Sequence, residues 1–371
     1  MSAPKPILLD QTGQRIASHT LDNWRPSDGW SPLTITRAQV DAEIERLASL
    51  PRPDNGRRAT LLIHPSAPNP GQGLTPGVQV CLSVLKPGES TTPVRHNSTQ
   101  VNFCIRGGGH TIIDGRTIRF SQFDVWNNPS FAIYQHVNDT KEIQVRLTYS
   151  NAALLEMMRI HLIDENPQPR AAPKVPEKPA DPRRLSPFGT FPIGDGAMLM
   201  PYEILINPPS VESPALHWPW ATVQQHLDKL AALGDDYLGR RLYLLYNPKT
   251  GRSNGTTPNF FATMTIRPPK VIDRPHRHVS SAINYYFRGS GYSVVDGQRY
   301  EWSAGDLMVS APGWAVHNHA SYDQAVYELT IQDQPLNIEM ESLLWQEDLK
   351  HPPLILGTTD GFQTNRMAIV K

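Results

Sequence analysis

Two histidine pairs offer chemistry by their spacing. His276 and His278 are separated by one residue, and His317 and His319 repeat the pattern about forty positions later. On a β-strand, residues i and i+2 project from the same face, so His276 and His278 would present two imidazoles in one direction. A third imidazole from a later strand, His317, closes a facial triad around one metal ion. Metal binding requires deprotonated, converging donors, and neutral imidazoles leave the ion its full charge. Three protein ligands leave coordination positions free, which marks catalysis rather than structural support. Imidazole suits Fe, Zn, Cu and Ni alike, so the donors alone do not choose the metal. With 13 histidines in the chain, an isolated His-x-His can arise by chance. Chance does not supply a second pair at the spacing of several short strands joined by glycine turns. His319 faces the same side as His317 and is open to three roles: a ligand in place of His317, a proton shuttle, or a satisfied polar residue.

The intervening residues are what must hold these groups. Arg288-Gly289-Ser290-Gly291, Val295-Asp296-Gly297 and Ala304-Gly305-Asp306 read as turns between short strands. Earlier in the chain, residues 1–35 show little periodicity and read as an extended arm, with Trp24 and Trp30 as packing points. A helix is expected from Thr36 to Leu50, opened by a Thr36/Gln39 capping box and striped by Val40, Ile44 and Leu47. Strands follow at Ala59–Ile63, Val78–Leu85, Gln100–Ile105, His110–Ile113, Thr117–Phe120, Asp124–Asn127 and Ile143–Thr148, then a short helix at Ala152–His161. A further helix, Thr222–Leu233, is striped by Val223, Leu227 and Leu230.

The second half repeats the first. Gly56-Arg57-Arg58 answers Gly239-Arg240-Arg241, Arg106-Gly107 answers Arg288-Gly289, Asp114-Gly115 answers Asp296-Gly297 and Asp124 answers Asp306, always 182 or 183 positions apart. So constant an offset indicates a duplicated module. It divides the chain into residues 1–163, a Pro-rich linker at 164–187, and residues 188–371. Within the repeat, His278 corresponds to His96 and His319 to His136, but His276 corresponds to Val94 and His317 to Tyr134. The first module therefore lacks two of the three ligands and is expected to be structural, with His96 and His136 left as a polar pocket.

Charge is balanced at 35 basic and 35 acidic residues without long blocks of one sign, so nucleic acid and anionic membranes are not expected partners. A small or locally charged substrate fits better. The two cysteines, Cys81 and Cys104, form no CxxC pair and read as buried strand residues in a reducing compartment. No run approaches the ~20 apolar residues of a membrane span, and Met1–Leu9 is too short and interrupted for a signal peptide. A cytoplasmic protein is expected. The 35 prolines, mostly between periodic segments, suit an all-β chain with many loops.

From His276 to His319 the order of strands and glycine turns resembles a cupin barrel. The whole chain is similar to the bicupin gentisate 1,2-dioxygenase family, which includes salicylate and 1-hydroxy-2-naphthoate dioxygenases. The matching pieces are Gly239-Arg240-Arg241 before Asn247-Pro248, Pro275-His276-Arg277-His278, Gly289-Ser290-Gly291, Val295-Asp296-Gly297 and Trp314-Ala315-Val316-His317-Asn318-His319. The resemblance implies an all-β fold of two double-stranded β-helix (jelly-roll) barrels with short helices, and a homo-oligomer. It implies one Fe(II) per chain, held by His276, His278 and His317, with His319 as acid/base. Arg240 or Arg241 would meet the carboxylate of an aromatic acid, whose ring O2 opens between the hydroxylated and carboxylated carbons.

Departures from the family pattern concern the pocket. Members usually carry the metal in the first cupin, whereas only the second is complete here. Asn284 stands where an arginine is common, Phe261 and Thr265 where a tryptophan and a glutamine are expected, and Thr330 where an acid is expected. Asn284, Phe261, Thr265 and Trp314 are the candidate substrate contacts, with Phe260, Tyr285 and Tyr286 as further aromatic lining. The altered wall points away from gentisate toward another ortho-hydroxy aromatic acid. Two other functions use the same triad: a non-oxygenase metal enzyme such as an isomerase or hydrolase, and a barrel that binds a small ligand without turnover.

Overall fold

The computed structural model describes residues 30–169, 189–201, 213–234 and 241–356. Trp24, Arg240 and most of the 164–187 stretch lie outside them. Each half is built around a six-stranded and a three-stranded antiparallel sheet, the two-layer arrangement of a jelly roll, with one strand of each six-stranded sheet supplied by the other half and smaller two- and three-stranded sheets beside them. In the first half the large sheet is built on Gln79–Leu85, Gln100–Arg106, Val125–Asn128 and Gln144–Ser150, and the small one on Gly109–Ile113, Arg116–Phe120 and Tyr134–Val137. In the second half Phe261–Arg267, Ala282–Arg288, Leu307–Ala311 and Val326–Gln332 form the large sheet, and Ser290–Val295, Gln298–Ser303 and His317–Ser321 the small one.

Alternation along the strands decides where the core lies. Along Ala282–Arg288, Ile283, Tyr285 and Phe287 point to one side, where they join Val101, Phe103 and Ile105 from the other half in a single apolar cluster. Phe103 meets the Tyr285 ring at 5.7 Å and the Phe287 ring at 5.8 Å. The main core is thus sandwiched between the two large sheets, outside both barrels. Phe260 and Tyr285, expected along the pocket, belong to this core instead. The opposite faces line the barrel interiors and carry many polar residues, including Asn284, Thr263, Thr265 and Glu328.

The helices cover the flanks of this core. Helix Arg37–Ser49 opens with the Thr36/Gln39 capping box and buries Val40, Ile44 and Leu47. The helix expected at Thr222–Leu233 spans Trp220–Ala232 and buries Trp220 and Leu227. The third helix stops at Met157.

Contiguous modules do not describe the sheets fully. Leu33–Ile35 pairs with Leu307–Val309 of the second half, and His217–Trp218 pairs with Val125–Trp126 of the first. The halves therefore exchange an arm reciprocally. Each exchange is fixed by one buried carboxylate. Asp306 accepts hydrogen bonds from the Arg37 and Ser303 backbone N–H groups, at 2.6 and 2.7 Å. Asp124 does the same for Trp220 and Ser121, at 2.7 and 3.0 Å. Both carboxylates sit at the N-terminus of a helix belonging to the other half, where orphan N–H groups and the helix dipole favour negative charge. Asp306→Ala and Asp124→Ala should each lower unfolding stability by about 1–2 kcal/mol; urea titrations in which both variants match the parent would remove this role.

Candidate metal centre

Backbone pairing brings the histidines together. His276 donates its N–H to the His317 carbonyl at 3.0 Å and receives the His317 N–H at 2.8 Å. His278 is held on the other side, where Arg277–His278 pairs with Trp345 and Gln346. Nitrogens of His276, His278 and His317 lie within 4.8 Å of one another, and all three residues are buried. Trp345 stacks on His278 at 4.7 Å and lies 5.8 Å from His276.

Hydrogen bonds set the tautomer of each ring. Nδ1 of His276 faces the Arg274 carbonyl at 3.1 Å, that of His278 the Ser280 carbonyl at 2.8 Å, and that of His317 the Ala315 carbonyl at 2.9 Å. A carbonyl oxygen only accepts, so each Nδ1 carries a proton, and in the neutral ring Nε2 is the nitrogen that can ligate. Three neutral imidazoles with converging lone pairs fit one divalent ion, and the backbone carbonyls supply the outer orientation that ligating histidines need.

His319 differs. Its Nδ1 meets Ser293 Oγ at 2.8 Å, and Ser293 also accepts the Trp302 indole N–H at 2.9 Å and lies 3.4 Å from the Tyr286 hydroxyl. A hydroxyl both donates and accepts, so it supports either tautomer of His319. The fixed rings are suited to hold an ion and this one to carry a proton.

The first half shows the same frame without the chemistry. Val94 pairs with Tyr134 through reciprocal 3.0 Å hydrogen bonds. His96 Nδ1 faces the Ser98 carbonyl at 2.9 Å, as His278 does, but its Nε2 lies 2.8 Å from the Tyr134 hydroxyl. The phenol proton occupies the lone pair that an ion would need.

The other candidate residues are dispersed. Asn284 is buried in the second barrel, donates to Thr330 Oγ1 at 2.9 Å and accepts from the Ser310 hydroxyl. Phe261 and Thr265 lie on the same interior-facing side of their strand, Thr265 opposite Glu328. Arg241 sits at the sheet edge, donates to the Gly234 carbonyl at 2.6 Å, and is partly exposed. Trp314 is buried under the Arg277 guanidinium, 4.4 Å from its ring. Tyr286 stacks on Trp302 at 3.8 Å inside the barrel. Nearby, Arg267 pairs with Asp273 at 2.9 Å and Glu328 at 3.2 Å. Burial alone would lower the Arg267 pKa, but the two carboxylates raise it above its ordinary value.

Trp345 and Ser293 were missed from sequence. Both had a signal: the constant offset places Trp345 opposite Ile163, and Ser293 opposite Thr111. The structure repeats these placements, with Ile163 and Trp345 pairing His96 and His278 respectively.

Two jelly-roll units formed by duplication, with converging imidazoles in the second, define a bicupin with one complete candidate metal centre among the described residues. In sequence the chain is similar to several aromatic-acid 1,2-dioxygenases, and in fold to a salicylate 1,2-dioxygenase. No family model matches the chain. It is 26% identical to a 5-aminosalicylate 1,2-dioxygenase of Comamonas sp. over 267 residues, which is 70% of this chain and 66% of that protein. It is 26% identical to a gentisate 1,2-dioxygenase of Streptomyces sp. over 309 residues, covering 78% of this chain and 82% of the relative. The crystal structure of a salicylate 1,2-dioxygenase from Pseudaminobacter salicylatoxidans superposes with a TM-score of 0.71 at 18% identity, covering 91% of this chain and 93% of that one.

Metal analysis of purified protein should find one divalent ion per chain. His276→Ala or His317→Ala should remove most of it, because two imidazoles hold a labile ion poorly, while circular dichroism stays near that of the parent. His96→Ala should retain the metal. Two ions per chain, or equal loss in His96→Ala and His276→Ala, would place metal in the first barrel.

Proposed function

We propose that this chain is a non-haem Fe(II) ring-cleaving dioxygenase, acting on an ortho-hydroxy aromatic carboxylate and opening the bond between the hydroxyl- and carboxyl-bearing carbons with O2. The observation that carries this reading is the convergence of His276, His278 and His317, each with Nδ1 tied to a backbone carbonyl. The named activities of the relatives support it. Bound iron would supply Lewis acidity toward the substrate oxygens and one-electron reactivity with O2.

The remaining tasks fall to the chain. His319 takes or returns the substrate hydroxyl proton, since Ser293 lets its Nδ1 donate or accept as Nε2 changes state. Arg240 or Arg241 meets the substrate carboxylate; their counterparts Arg57 and Arg58 border the cavity of the first barrel. Asn284 offers a neutral amide to a ring substituent, and Phe261 and Thr265 form wall. Trp314 buttresses the turn into His317. We place the protein in the cytoplasm, as its two free thiols favour. We also assign it a homo-oligomeric state. The hairpin Phe191–Gly194/Ala197–Leu199 supports this, with Phe191, Ile193, Met198 and Leu199 all exposed.

O2 uptake by the iron-loaded protein should accompany loss of a salicylate, and His319→Ala should keep its iron while turnover slows. Turnover without O2 would indicate a different metal enzyme, and binding without turnover under any metal a ligand-binding bicupin. A neutral Asn284 in place of arginine forgoes a charge-assisted hydrogen bond of about 1.5–3 kcal/mol. Gentisate should therefore be a poorer substrate than another substituted salicylate by kcat/KM; parity between them would overturn this specificity. Light scattering at micromolar concentration should give a mass above the 41.5 kDa of one chain.

A further inference from the structure

The barrel without a metal triad has its own unanswered charge. Arg146 points into the interior of the first barrel, is 4% exposed, and lines a cavity of about 210 Å³ together with His96, Gln100, Tyr134 and His136. Its Nη1 donates to the Gln144 side chain, but its Nε has no hydrogen-bond partner. Arg57 and Arg58, at the border of the same cavity, are each paired with a glutamate, Glu165 and Glu89. The acidic groups near Arg146 are Cys104, Cys81 and Tyr134. Burial pushes the Cys104 and Tyr134 pKa values up to about 12 and raises that of Cys81, so none is ionised at neutral pH. Burial lowers Arg146 itself only to about 10, which leaves it charged.

The duplication shows that this arrangement is not a requirement of the fold. Arg146 lies opposite Ser83 and Cys104, as Glu328 lies opposite Thr265 and Tyr286. Glu328 neutralises Arg267, whose counterpart in the first half is Leu85. A buried guanidinium without a carboxylate is costly unless something else supplies the negative charge. His136 adds a second unsatisfied group: it is 4% exposed, lines the same cavity, and its Nδ1 has no partner. Burial holds its pKa well below the usual value, so it is a neutral imidazole able to donate one hydrogen bond. The dimensions are those of a small organic acid, since a cavity of about 150 Å³ accepts a benzene ring.

We propose that the first barrel is a second ligand site, which binds a small organic carboxylate of benzoate size through Arg146, with His136 as a further donor. It requires no metal and does not depend on the oxygenase reading.

Titration calorimetry on the full, chelator-treated chain tests this with benzoate as probe, and with benzyl alcohol, chloride and phosphate as controls. Parent and His276→Ala proteins should each bind one benzoate per chain. Arg146→Met and Arg146→Gln should bind it about ten- to a hundredfold more weakly, the loss expected for a charge-assisted contact. Benzyl alcohol should not compete. Arg146→Met should also melt higher than the parent without ligand, because it removes an uncompensated buried charge, and this checks that the variant is folded. Benzoate should raise the melting temperature of His276→Ala. Unchanged affinity in folded Arg146 variants, loss of binding in His276→Ala instead, or equal response to chloride or phosphate would each overturn the proposal. These readouts need neither iron nor turnover, so their failure leaves the proposed reaction untouched.

Discussion

The centre depends on one antiparallel bridge, the pair of backbone hydrogen bonds between His276 and His317. A strand presents alternate residues to opposite faces, so a slip of one position would turn an entire strand's side chains over. Fixing 276 against 317 also fixes 278 and 319 on the inner face, because each lies two positions from a bridged residue. The bridge aligns the strand bearing His317 and His319 with Ser290–Val295, where Ser293 stands directly opposite His319. The positions of the three candidate ligands and of His319, and the Nδ1 partners of His276, His278 and His317, thus follow from backbone register. Side chains decide only what the register is used for, as the Val94–Tyr134 bridge demonstrates with the same geometry and no ligand pair.

A bridge of this kind can be held open to chemistry because the stabilising core is elsewhere. The large sheets pack back to back, and their outward residues form one apolar cluster fed by both halves and by both long helices. Burial of that area is the main source of stability. It leaves each barrel interior free to carry polar groups that a conventional core would exclude. These polar groups are mostly satisfied by one another. Asn284 with Thr330 in one barrel and Asn102 with Thr148 in the other form the same cross-strand pair, at 2.9 and 2.8 Å. Arms exchanged between halves and capped by Asp124 and Asp306 hold the two sheets in this arrangement.

Much of this was legible in the chain. The duplication, the strands and the imbalance between the two histidine sets follow from spacing alone, because turns and alternation are local properties. The helix at Arg37–Ser49 was legible for the same reason: its cap and stripe lie within a few turns. The arm exchange was not, since Leu33–Ile35 and His217–Trp218 are too short to declare which sheet they join. Nor was the direction of the aromatic residues. Tyr285 and Tyr286 are adjacent and chemically alike, and only the register of Ala282–Arg288 sends one to the inter-sheet core and the other against Trp302. Trp345 escaped notice because its strand lies beyond the last histidine pair, though the repeat offset marks it.

Loss of ligands in the first barrel and reversal of its charge belong together. In the second barrel the buried Arg267 and Glu328 and the partly exposed Asp273 form a cluster with one positive and two negative groups. Their counterparts are Leu85, Thr91 and Arg146, with one positive group and no negative one. A divalent cation is favoured by the first of these settings and opposed by the second, in an interior where charges are weakly screened. Converting Val94 and Tyr134 to histidines would restore donors without restoring that field. The two barrels have diverged in both the atoms that would bind an ion and the potential in which it would sit, and the same backbone now favours a cation in one half and an anion in the other.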